Sequence, residues 1–293
     1  FLTMKRLAYI VMIWLGFACE DPLQVKLDEG STLLVVDAFL NNTTATQTIR
    51  LKYSSPYFSN QPNSMPADAK VKIIHVRSGQ VYDFKYQSNG AYEFEPTELV
   101  GFNAMNDVYT LQIELAGKVY LAETSLSRSA GIDSIGFSKI PPSFSQPTVN
   151  GVRYACRLWA KDSTGKTNDY YWIKTLRNDT LFQDVSDLNL SIDGTNGEVP
   201  LSEGPPNAFT PPSVFLAFKS YLPKDRCRVE IHSISKNCYL FLLQARNQIS
   251  NGGLFAQTPE NVRTNLVTPK GAVYKAVGWF NIAAISTASI QIP

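Results

Sequence analysis

Val108-Tyr109-Thr110-Leu111-Gln112-Ile113-Glu114-Leu115, then Ala116-Gly117, then Lys118-Val119-Tyr120-Leu121-Ala122-Glu123: the reading of this stretch decides the fold. It reads as two strands rich in β-branched and aromatic residues, paired through the Ala116-Gly117 turn. The same pattern continues upstream. Ala91-Tyr92-Glu93-Phe94 follows Asn89-Gly90, a strong hairpin signal. Before it come Val81-Tyr82-Asp83-Phe84-Lys85-Tyr86, the Ser78-Gly79 turn, and Val71-Lys72-Ile73-Ile74-His75-Val76. Thr46 to Tyr53 alternates, with Thr48, Arg50 and Lys52 on one side and Ile49, Leu51 and Tyr53 on the other. Leu33-Leu34-Val35-Val36-Asp37-Ala38-Phe39 completes the set. Seven short strands with turn signals between them are the pattern of an immunoglobulin-like β-sandwich over residues 33–128, without a Cys-Trp-Cys core.

Downstream, residues 129–293 read as a second β-rich domain. Its strands are Ile132 to Phe137, Val152 to Ala160, Asp169 to Leu176, Val214 to Tyr221, Arg226 to Ile234, Gly271 to Phe280 and Ile282 to Ile292. One helix is clear, Lys236 to Ile249, with Ser235 as its N-cap and Gly252-Gly253 as its stop. Cys238, Phe241, Leu242, Ala245 and Ile249 share one face. Tyr239, Leu240 and Leu243 widen it, which predicts a helix largely buried on a sheet. Residues 194–213, rich in Gly and Pro, read as a long loop. The fold class expected is therefore mainly β, in two domains, with one helix.

Upstream of the body, Met4-Lys5-Arg6 precedes the apolar run Leu7 to Ala18, and Cys19-Glu20-Asp21 follows. Positive charge, a short apolar run and small Gly16 and Ala18 make a secretory signal over residues 1–18. The run is shorter than the roughly 20 residues a bilayer span needs. A cysteine at this point is where a lipoprotein signal peptidase cuts, so Cys19 is the candidate lipid anchor, and two or more acyl chains hold a membrane stably. The lipobox is imperfect, with Gly16 where Leu is usual. Residues 19–32, with Pro22, read as a tether.

Composition narrows the function. A hydrophobic content of 44% suffices for real cores, and a net charge of +2 argues against a nucleic-acid partner. No G-x-S-x-G elbow, P-loop, G-x-G-x-x-G, H-E-x-x-H or C-x-x-C occurs, so no catalytic residue, cofactor or metal is expected. His75 reads as a structural histidine. Asp184, Asp187, Asn189 and Asp193 lack the glycine and terminal glutamate of a calcium loop. Besides Cys19, three cysteines remain: Cys156, Cys227 and Cys238. In an exported chain Cys227 and Cys238, the closest pair, are a candidate disulfide, and two free buried thiols are the equal alternative. The candidate binding residues are aromatic: Phe144, Trp159, Tyr170, Trp172 and Phe209, since aromatic faces bind sugars and peptides and anchor interfaces.

Several of these pieces together resemble a known family: Cys19 with its acidic follow-on, Leu34-Val35-Val36-Asp37-Ala38-Phe39, Tyr109-Thr110-Leu111 with Val119-Tyr120-Leu121-Ala122, Asp169-Tyr170-Tyr171-Trp172, Gly252-Gly253-Leu254-Phe255 and Val277-Gly278-Trp279-Phe280. From Cys19 to Pro293 the chain resembles the Bacteroidota outer-membrane lipoproteins grouped as domain of unknown function 4249. The resemblance implies an outer-membrane lipoprotein, surface-exposed or periplasm-facing, associated with TonB-dependent transport, and no catalytic residue is carried over. Asp133-Ser134-Ile135, Asp162-Ser163-Thr164 and Asp179-Thr180-Leu181 also resemble the short O-glycosylation motif of these bacteria. The expectation is a non-catalytic accessory or ligand-binding partner of an outer-membrane β-barrel, taking a glycan or peptide. A glycan-active enzyme with its site in the second domain and a structural or adhesive surface module are the alternatives.

Overall fold

The computed structural model describes residues 31–55, 64–140, 152–161, 169–192, 220–251, 258 and 260–293. The signal segment, Cys19, most of the tether, Phe144, Phe209, the 194–213 loop and Gly252-Gly253 lie outside these residues. In chain order the first seven strands are β1 (Leu33–Asn41), β2 (Gln47–Tyr53), β3 (Lys70–His75), β4 (Val81–Tyr86), β5 (Ala91–Phe94), β6 (Val108–Leu115) and β7 (Lys118–Ser125). All seven follow the period-two reading. Leu34, Val36, Ala38 and Leu40 of β1 point inward, as do Ile49 and Leu51 of β2 and Tyr109, Leu111, Ile113 and Leu115 of β6.

The remaining strands are β8 (Gly131–Lys139), β9 (Tyr154–Lys161), β10 (Tyr170–Arg177), β11 (Thr180–Leu181), β12 (Asn189–Ile192), β13 (Arg226–Ile234), β14 (Lys275–Ala283) and β15 (Ile285–Gln291). Helix α1 spans Lys236–Ile249, and the Ser235 hydroxyl accepts the Cys238 amide at 3.1 Å.

The expected mainly β class holds, and the two layers of the first sheet join through one strand. The order of this sheet is β14-β1-β2-β5-β4-β3-β6-β7, one continuous eight-stranded path that curls into a nearly closed barrel. Strand β4 is the corner: Val81–Phe84 pair with β3, while Lys85 and Tyr86 pair with β5. One core fills the interior, with side chains from all eight strands. Its eighth strand comes from the far end of the sequence, since β14 pairs in parallel with β1, Val36 opposite Gly278 and Ala38 opposite Phe280. The expected boundary at 128/129 therefore does not separate two domains, and Thr32–Pro293 forms a single compact unit.

The gap between edge strands β14 and β7 is closed by a strap. Val267 bridges Leu121 of β7, and the Thr268 hydroxyl accepts the Ala276 amide at 2.9 Å. Asn265 does more: its amide oxygen accepts Phe280 N–H at 3.0 Å, and its NH2 donates to the carbonyls of Phe280 (2.8 Å) and Glu123 (3.2 Å). One side chain thus supplies the ladder bonds that a strand edge would otherwise lack.

The second sheet has the order β11-β10-β13-β15, with β12 also on β10. The β8–β9 hairpin covers one face, over Tyr171, Ile173, Cys227, Val229 and Ile231. Helix α1 covers part of the other, where Cys238, Tyr239 and Leu242 meet Leu190, Ile234 and Trp279. The helix is less buried than its stripe predicts: Ile249 is 69% exposed, because only the first two turns overlie the sheet. Strands β14 and β15 are separated by Ala284 alone, so one run of chain enters both sheets. Buried Ser233 locks that junction. Its hydroxyl donates to Ser127 O (2.7 Å) and accepts Ala284 N–H (2.9 Å).

Candidate functional site

A cleft opens where the barrel, the strap and the start of α1 meet. It measures about 600 Å³, within the range of small-ligand sites. Strand β7 contributes Glu123, Thr124 and Ser125, the strap Arg263, Thr264 and Asn265, and the helix start Ser235 and Asn237. Trp279 of β14 and Val108 of β6 complete the lining. A second groove of about 250 Å³ continues from Ser235 to Arg128, Asp169 and Tyr170.

The lining follows from local structure. Trp279 is on the outward face of β14 and is 4% exposed, so it forms a floor and not an open platform. Thr264 and Asn265 are held by their bonds to β14, Thr264 donating to Gly278 O at 2.7 Å. Arg128 is held by Asp169 at 2.8 Å. The cleft thus presents hydroxyls and amides over one aromatic ring, with Glu123 its single carboxylate and Arg263 its single cation. That chemistry suits a ligand rich in hydroxyls or amides.

A ladder of charges runs along β13. His232 Nε2 and Glu230 lie 2.9 Å apart, Arg228 meets Glu230 at 3.3 Å and Asp179 at 2.9 Å, and Arg226 also meets Asp179. The Lys174 ammonium lies 4.0 Å from the centre of the Trp172 ring. Burial pulls Lys174 below the usual lysine range, only partly opposed by Glu230 and Asp37. Burial also pulls His232 down to about 4, while its hydrogen bond to Glu230 acts the other way. Glu230 is held below the ordinary carboxylate range, chiefly by that bond. At neutral pH the ladder therefore holds a neutral imidazole donating to a carboxylate.

A second polar chain went unseen in the sequence. His75 Nδ1 is 2.7 Å from the Ser78 hydroxyl, and its Nε2 is 2.9 Å from Asp107, which also pairs with Arg77 at 2.6 Å. The residue types are those of a serine hydrolase, but the turn uses its own donors. Gly79 N–H goes to His75 O and Gln80 N–H to the Ser78 oxygen, so neither is aimed at an oxyanion. The chain pins the β3–β4 turn to the start of β6, consistent with the structural reading of His75. Asp187 likewise accepts the Asp184 amide at 2.8 Å, which caps a short 3₁₀ turn, and Asn189 begins β12.

The candidate aromatics are scattered. Trp172 packs edge-on against Phe39, and Tyr170 against Tyr239, both within the cluster under α1. Among the described residues, Tyr170 is the one of these that also lines a groove. Trp159 lies on β9 against Gly136. The candidate disulfide is not formed: Cys156, Cys227 and Cys238 are all free and buried. Cys227 points into the core under the β8–β9 hairpin and Cys238 into the cluster under α1, on the other face of the second sheet.

Fold and cleft together define a mainly β protein: a curled eight-stranded sheet joined to a smaller helix-capped sheet, with a polar cleft at the seam. The chain belongs to the family described as domain of unknown function DUF4249, which matches residues 20–289. A comparison with curated proteins finds no match.

Proposed function

We propose that this protein is a non-catalytic lipoprotein, anchored through Cys19 at the outer membrane and exposed at the cell surface. In this reading it serves as an accessory or ligand-binding partner of a TonB-dependent-type β-barrel. The observation that carries the proposal is the order Met4-Lys5-Arg6, Leu7 to Ala18, Cys19, set 14 residues before the first strand at Leu33. The body takes hold of the chain there, since Leu33 N–H donates to the Ser54 hydroxyl at 2.9 Å. Residues 20–32 are, in this reading, the tether. The polar cleft supports a glycan or peptide ligand, because its hydroxyls, amides and single Trp279 ring match the groups such ligands display.

The test has two parts. Metabolic labelling with an alkyne fatty acid should mark the wild type and not Cys19→Ser; equal labelling of both would refute the anchor. Native pull-down through a C-terminal tag should bring down a membrane β-barrel. A lone monomer in detergent extract would refute the partnership.

A further inference from the structure

Cys156 and Cys227 come from different layers of the second core. Cys156 points inward from β9 with Tyr154, Leu158 and Ala160, and Cys227 points inward from β13 with Val229 and Ile231. Their exposures are 3% and 0%. The backbone fixes the approach: Tyr154 and Tyr221 exchange N–H to O bonds of 3.0 and 2.9 Å. Two residues past Tyr154, the Cys156 thiol shares this core with the Cys227 sulfur, near enough for each to perturb the other's ionisation. The Tyr221 hydroxyl contacts the same Cys227 sulfur and also donates to Leu176 O at 3.3 Å. Cys238 is apart from this group, in the cluster under α1.

The two sulfurs differ in character. Its contact with Cys156 draws Cys227 below the ordinary thiol range despite its burial. Cys156 is pushed up, first by its bond to Cys227 and then by burial. Two thiols brought into one core from facing layers are placed to be joined by thiol–disulfide exchange.

We propose that Cys156 and Cys227 form the structural disulfide of this protein, clasping the β8–β9 hairpin to the five-stranded sheet. The oxidant is an external disulfide, met while the two layers are still open. The Cys227 thiolate attacks one of its sulfurs, forming a mixed disulfide and releasing one thiolate. Cys156 gives up its proton to water and attacks the Cys227 sulfur, releasing the second thiolate. The two cysteines lose two protons and two electrons, and the external disulfide gains the electrons as two thiols.

The experiment refolds the purified full chain in a mixture of oxidised and reduced glutathione. Free thiols are then alkylated in denaturant, and the peptides are mapped without reduction. The expected result is a Cys156–Cys227 linked peptide with Cys238 alkylated. Adding reductant should lower the melting midpoint by roughly 5–15 °C, and should not move that of a Cys156→Ala/Cys227→Ala variant. Alkylation of both thiols after oxidation, or a link from either to Cys238, overturns the proposal. The wild-type map decides the question even if the double variant does not fold. Because the assay uses purified chain, its outcome is independent of where the protein is anchored.

Discussion

Gly278 sits in the middle of β14 at φ +108°, directly opposite Val36. A Cβ there would come within 1.9 Å of the Val36 carbonyl oxygen. The contact is with backbone, so no rotamer change relieves it, and the backbone conformation is itself one that side chains avoid. Gly278→Ala is expected to cost at least 3 kcal/mol, read as loss of the folded fraction in urea denaturation; a stable variant would mean that β1 and β14 do not meet in this register. His232 carries a pH dependence of known sign. Its proton affinity is lower folded, about 4, than unfolded, 6.5. Stability is therefore full above pH 6.5 and falls as the pH drops towards 4, by on the order of 3 kcal/mol from this residue. Glu230, whose folded value is also depressed, adds a further loss below its ordinary range. Urea midpoints measured from pH 7 to pH 4 should fall steeply for the wild type and less for His232→Gln.

Helix α1 was legible to the residue because two local signals agree, the Ser235 cap and the apolar stripe up to Ile249. Replacing Ser235 with Ala should cost about 1 kcal/mol by chemical denaturation, and because Ser235 also lines both grooves, it should perturb any ligand bound there. The first seven of the eight barrel strands were legible to within two residues at each end, since each has one face inward. Strand β12 was not. Asp184, Asp187, Asn189 and Asp193, around and within it, read as a polar loop, and only pairing with Tyr170–Ile173 makes Asn189–Ile192 a strand. The cleft was illegible for a related reason: its lining is drawn from five separate segments, none carrying a motif. The cysteines misled because nearness along the chain was taken for nearness in space, whereas an extended β13 carries Cys227 away from Cys238. The strap is testable on its own. Asn265→Ala removes three hydrogen bonds to backbone and should destabilise by about 2 kcal/mol, with hydrogen exchange rising first at Phe280 N–H.

Two sheets that share the run from β14 to β15, and are tied again at Ser233, should melt as one. A single calorimetric transition is expected, and two separable transitions would restore the division near residue 128. The same connectivity forbids cutting the chain there. A fragment ending at residue 128 lacks β14 and leaves one side of β1 unpaired; it should fail to give dispersed amide resonances even though it holds seven of the eight barrel strands.

The parallel pairing of Leu33 with Lys275 also bears on time. A chain leaving the ribosome or a translocon N-terminus first exposes β1 early, yet the strand that covers it arrives almost last. Until then Leu33–Asn41 presents an apolar open edge, of the kind that recruits other chains. Contacts so distant along the sequence also close slowly. Folding of this protein is thus paced by its own completion, and a holding factor that shields residues 33–41 during passage should raise its yield more than one acting on the finished fold.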